Sequence, residues 1–240
     1  MPSRSDQISA GNQQRFSAYV SVPDVPNGHA VIVLQEIFGI TPPIREVADR
    51  YAREGYLAIA PDLFWRVEPG LSLSHSKEDM QRAVAVLGQF NEDLGVEDIG
   101  CAIAHAKAQP GIDGGIAVVG MCLGGKLAYL AASRLAVDAS VAFYGVGIEK
   151  NLDEAGTIVA PLLMFFGGKD KFAPPAVRQQ IEAATAGNQK VGIRVYESAD
   201  HGFYTRGEPE VIQSAHAEAT AFLRQHLPRR GAPAGRAPRF

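Results

Sequence analysis

Short runs of apolar and β-branched residues recur along the chain at 16–22, 30–34, 56–60, 116–119, 139–144, 162–166 and 193–196. Most are apolar without a break, so both faces of each strand are expected to be buried; a strand with one wet face would alternate. Between them lie stretches of helical periodicity at about 42–54, 77–90, 96–107, 123–135, 174–186 and 209–226. Thr41 before Pro42 and Pro43, and Ser76 three residues before Asp79, mark two of the helix starts. Strands alternating with helices predict an α/β fold with a mostly parallel central sheet flanked by helices on both faces.

Composition narrows this further. The 240 residues are 46% hydrophobic and 20% charged, and no Pro- or Ser-rich linker or internal repeat interrupts the pattern. One domain over 15–227 is therefore expected, between a flexible N-terminus at 1–14 and a disordered basic tail at 228–240. The formal net charge of −3 gives no field suited to phosphate backbones, so no nucleic acid partner is expected. The longest apolar run, 158–166, has nine residues including a proline. A membrane helix needs about 20. With a polar first dozen residues and no secretory apolar stretch, a cytoplasmic location away from membranes is expected.

Only two cysteines occur, Cys101 and Cys122, and neither stands in a C-x-x-C pair. Cys101 and His105 share a helix face, but no further ligand is near in sequence and apolar neighbours suit a packed face. No metal and no cofactor are expected.

The most informative stretch is Val118-Val119-Gly120-Met121-Cys122-Leu123-Gly124-Gly125-Lys126, a buried strand turning sharply into a helix. It reads G-x-C-x-G where a nucleophile elbow has G-x-S-x-G. Strand and helix pass so closely in such a turn that positions two before and two after the nucleophile cannot carry bulk. A cysteine there sits at a helix N-terminus, where the dipole favours thiolate, and the Leu123 N–H follows it as an oxyanion donor. Downstream, Asp170 follows one apolar strand and His201 the next. Nucleophile, acid and histidine thus come in the order used by α/β-hydrolases. Asp200 is a rival acid, but adjacent side chains rarely face each other.

These segments, together with Gln35-Glu36-Ile37-Phe38-Gly39, Ala60-Pro61-Asp62-Leu63, Phe143-Tyr144-Gly145-Val146-Gly147, Gly167-Gly168-Lys169-Asp170 and His201-Gly202-Phe203, resemble the dienelactone hydrolase family of α/β-hydrolases, also called carboxymethylenebutenolidases. The resemblance covers roughly 15–227. It implies an α/β-hydrolase fold and a Cys122-His201-Asp170 triad that forms a thioester acyl-enzyme. Glu36 would contact the resting thiol, and Ile37 would supply the second oxyanion donor through its backbone N–H. The family's enzyme uses two arginines for the carboxylate of dienelactone. Arg206 stands one residue later than expected, and Arg82 falls near the second position with Met80 aligned instead. Phe38, Trp65, Tyr144 and Phe203, with Phe143, are candidates for an apolar pocket around a substrate ring.

The expected activity is hydrolysis of small esters or enol lactones. A general carboxylesterase or thioesterase is the alternative enzyme, and a ligand-binding or redox-sensing protein on the same fold is the alternative from another class. The expected partner is a small-molecule ester or lactone, and the expected state a monomer or weak homo-oligomer.

Overall fold

The computed structural model describes residues 2–11 and 13–227. Its strands are β1 (Ser3–Ser9), β2 (Arg15–Ser21), β3 (Ala30–Leu34), β4 (Leu57–Pro61), β5 (Ile116–Met121), β6 (Ala139–Phe143), β7 (Leu162–Gly167) and β8 (Val191–Tyr196). Its helices are α1 (Pro42–Arg53), α2 (Lys77–Leu87), α3 (Glu92–Lys107), α4 (Leu123–Arg134), α5 (Pro175–Thr185), α6 (Phe203–Arg206) and α7 (Pro209–His226), with a 3-10 segment at Ile148–Thr157.

The strands form one sheet in the order β1-β2-β4-β3-β5-β6-β7-β8. The pairs β1/β2 and β2/β4 are antiparallel and the other five are parallel. This is the α/β-hydrolase fold. The unbroken apolar strands are buried on two sides, as their pattern requires. In β3, Ala30, Ile32 and Leu34 enter one core with α3 and α4. Val31 and Val33 enter the other with α1 and α7. Alternate residues of β5 divide in the same way.

β3 lies between β4 and β5, so the chain winds away from it first in one direction and then in the other. Such a reversal opens a crevice past the carboxyl ends of the central strands, because the connecting segments diverge there. The residues after β3 and β5 face each other across that crevice.

Ser3–Ser9 departs from expectation. Placed by its sequence in a flexible N-terminus, it is a seven-residue edge strand paired along its length with β2. Ile8 is its one buried side chain, and Asp6 bonds His105 of α3 at 2.9 Å. His105 is thereby engaged with Asp6 rather than with Cys101. The expected basic tail lies outside the described residues. No helix among the described residues is long and apolar enough to cross a membrane.

Candidate active site

β5 ends at Met121, and Cys122 adopts φ 55° and ψ −113° before α4 begins at Leu123. Positive φ is costly for a residue with a side chain and persists only where its surroundings enforce it. Here the Cys122 N–H donates to the Phe143 carbonyl at 3.1 Å, and the Cys122 carbonyl accepts from Lys126 at 3.2 Å and Val146 at 3.3 Å. The flanking glycines are steric necessities. A Cβ on Gly120 would lie 1.8 Å from the Gly124 carbonyl oxygen, and one on Gly124 would lie 2.5 Å from that of Leu34. The turn is therefore a nucleophile elbow in geometry as well as in sequence.

The thiol differs from the expectation drawn from helix position alone. Burial, then the Glu36 carboxylate, pushes its pKa up to about 12, against the opposing pull of the Leu123 N–H and Arg206. The helix N-terminus does favour thiolate, but desolvation outweighs it. At rest Cys122 is a thiol, and the Leu123 N–H proposed for an oxyanion is hydrogen-bonded to its sulfur.

His201 follows β8 and Asp170 follows β7. Asp170 Oδ2 lies 2.8 Å from His201 Nδ1, and its Oδ1 accepts from the Phe172 N–H at 2.8 Å. The Asp170 side chain has no solvent exposure. A carboxylate so placed fixes the ring with its proton on Nδ1 and leaves Nε2 to accept one. Asp200 is committed elsewhere: its Oδ1 accepts the backbone N–H of His201 at 2.7 Å. Tyr144 and Phe172 meet the His201 ring at 66°, each with centroids 4.9 Å away.

Glu36 is buried one residue past Gln35, where the chain leaves β3. Its Oε2 accepts from Arg206 Nη1 at 2.7 Å, and its Oε1 lies 3.3 Å from the Thr205 hydroxyl. Thr205 also stands 3.2 Å from the Tyr144 hydroxyl. Residues of α6 thus hold both carboxylate oxygens. Ile37 follows, half-buried, and Phe38 is buried beyond it. Thr205 carries no motif, and only the fold brings it to Glu36. α6 is a single helical turn that brings Thr205 and Arg206 together on one carboxylate.

Arg82 and Trp65 lie elsewhere, whereas Phe203 is buried beside the site, against the Tyr144 ring that meets His201. Arg82 is exposed and forms an ion pair with Glu68. Trp65 donates its indole N–H to Asp98 at 2.8 Å and stacks on Phe16 at 5.6 Å, which ties it to the α3 side of the core. Phe203 is core material, packed against Phe143, Tyr144 and Tyr196.

The model of the dienelactone hydrolase family matches residues 16–227. The chain belongs to that family. It is 35% identical over 216 residues to carboxymethylenebutenolidase 1 of Cupriavidus pinatubonensis, covering 90% of this chain and 92% of the relative. A carboxymethylenebutenolidase from a Pseudomonas species is 37% identical over 228 residues, covering 92% and 94%. Among solved structures, a dienelactone hydrolase candidate from Klebsiella pneumoniae superposes with a TM-score of 0.78 at 27% identity, covering 94% of this chain and all of the other. This member of the family is an enzyme, a hydrolase of the dienelactone hydrolase type.

Proposed function

We propose that this hydrolase cleaves small carboxylic esters or enol lactones through Cys122, His201 and Asp170. The observation that carries the reading is the 2.8 Å bond between His201 and a wholly buried Asp170 whose charge reaches the thiol of Cys122, a cysteine held in a strained elbow. In this mechanism His201 Nε2 takes the Cys122 proton and the sulfur attacks the ester carbonyl. The tetrahedral oxygen is received by the Leu123 and Ile37 N–H groups. The intermediate collapses to a thioester, and the departing alcohol or enol takes the proton from His201. Water deprotonated by His201 then hydrolyses the thioester, releasing the acid and restoring the thiol.

Glu36 sets the resting state. Its charge beside the sulfur disfavours thiolate, so Cys122 is protected until a substrate enters. The same feature argues against a redox sensor, which needs an exposed thiol of low pKa. A general carboxylesterase or thioesterase is separated from a lactone hydrolase by assaying p-nitrophenyl acetate, an acyl thioester and an enol lactone side by side.

The test is single-turnover acylation followed by intact-mass measurement. The expected result is one acyl adduct on Cys122 that decays at the turnover rate and is absent from Cys122→Ala. Full hydrolytic turnover by Cys122→Ala would overturn the mechanism.

A further inference from the structure

Tyr204 has no part in the chemistry above, yet three parts of the fold close on it. It belongs to α6, which is four residues long. One turn of helix does not hold itself in place, because ordering its backbone costs more than its few hydrogen bonds return. Phe203 adds apolar contacts with Phe143, Tyr144 and Tyr196, but such contacts fix a direction less sharply than a hydrogen bond does. Tyr204 supplies the directional ones. Its side chain is fully buried, and its ring stacks on Phe143 of β6 with centroids 3.8 Å apart and planes at 5°. The hydroxyl lies 2.7 Å from His216 Nδ1 of α7 and 3.3 Å from the Tyr51 hydroxyl of α1. The Tyr204 carbonyl accepts from both Nη atoms of Arg50 at 3.4 Å, and the same guanidinium sits over the ring, 5.0 Å from its centroid.

The next two residues of the same turn, Thr205 and Arg206, are the ones that hold the two oxygens of Glu36. Successive residues of a helix are related by a fixed rotation of about 100°, so any turning of Tyr204 is passed on to both. A 2.7 Å bond at the far end of a buried side chain opposes that turning. His216 suits the task because burial, then the charges of Arg50, Arg53 and Arg224, lower its pKa to about 4. Above that pH its ring is neutral, so one ring nitrogen accepts and the other donates, and the bond to Tyr204 is not altered by titration.

We propose that the hydrogen bond between Tyr204 and His216 is a positioning device for the active site, which fixes the rotation of α6 and with it the hold of Thr205 and Arg206 on Glu36. This rests on the reading that Glu36 restrains the resting thiol, and it extends that restraint to α7. Tyr204 and His216 are positioning residues and take no part in the proposed reaction. Loosening α6 withdraws the Arg206 charge, which lowers the Cys122 pKa, while Glu36, still ionised in alkaline solution, goes on raising it. The thiolate of Cys122 then becomes scarcer at any given pH.

The experiment follows alkylation by iodoacetamide at the Cys122 peptide of the full-length protein, by mass spectrometry, across neutral to alkaline pH. Tyr204→Phe keeps the ring on Phe143 and removes only the hydroxyl, and His216→Leu removes the other end of the bond. Each should slow labelling at a given pH by about tenfold, the change in thiolate fraction made by a shift of one pH unit. The two together should slow it no further, because they cut the same bond. In a Thr205→Ala/Arg206→Ala background, adding Tyr204→Phe should change nothing more. A merely structural role would lower the urea midpoint and leave the labelling profile where it was. An unmoved profile in folded Tyr204→Phe, or a further shift in the Thr205→Ala/Arg206→Ala background, would overturn the proposal while the role of Glu36 stands. If Glu36→Gln also leaves the profile unmoved, the reading of Glu36 fails, and the proposal with it.

Discussion

Arg206 and Glu36 meet at 2.7 Å, and this ion pair joins the segment after β8 to the segment after β3 across the crevice. Glu36 is buried, and a buried carboxylate is tolerated when it is paired and hydrogen-bonded. The pair also stands beside Cys122, where the two charges act in opposite senses: the carboxylate raises the thiol pKa and the guanidinium lowers it.

Glu36→Gln removes the raising charge and leaves the lowering one. The pH dependence of Cys122 alkylation by iodoacetamide should therefore move toward lower pH, with faster labelling at pH 8 than in the parent. An unchanged profile would show that Glu36 does not restrain the thiol.

Asp170→Asn should keep the fold and lose the rate. An amide can support the wrong tautomer of His201, and loss of a triad's orienting carboxylate has cost on the order of 10⁴-fold in kcat in a serine protease. Steady-state kinetics on p-nitrophenyl acetate provide the check. A drop of less than about tenfold would mean that His201 is oriented by something else.

Gly120→Ala puts a methyl group 1.8 Å from the backbone of Gly124, in a place where neither strand nor helix can yield. A cost of about 3 kcal/mol or more is expected, the range of severe core overpacking. Gly187→Ala is the control, because a Cβ there meets nothing within 4 Å. Urea midpoints of the two variants should differ clearly.

His216 predicts an acid limb of stability. Its ring accepts or donates a 2.7 Å bond with Tyr204, and burial followed by the charges of Arg50, Arg53 and Arg224 lowers its pKa from 6.5 to about 4. Between those values the unfolded chain binds a proton that the folded chain refuses. Stability present above pH 6.5 is thus lost as pH falls toward 4, by up to about 3 kcal/mol for this group. The Tm of His216→Gln should fall less between pH 7 and 4.5 than that of the parent. Equal slopes would assign the acid sensitivity to other groups.

The architecture could be read from the chain where burial and periodicity coincide. Strands such as β3 and β5 announce themselves because they are apolar on both faces, and the elbow because its geometry admits only glycine two residues before and two after Cys122. β1 gave no such signal: six of its seven side chains avoid the core, and its order comes from backbone pairing with β2. At the site, Cys122, Asp170 and His201 could be picked out by residue type and order. Thr205 could not, since it gains meaning from Glu36, a neighbour 169 positions away. Trp65 and Arg82 showed the converse, with suitable chemistry but partners, Asp98 and Glu68, that draw them elsewhere.

The amino-terminal ribbon has one more consequence. By occupying the outer flank of β2, residues 3–9 satisfy a row of main-chain donors and acceptors that would otherwise be left open. A version of the protein trimmed past Ser9 would offer that row to any passing extended segment, including the β2 of another molecule. Self-association after trimming would then reflect a missing cover strand rather than a damaged catalytic centre.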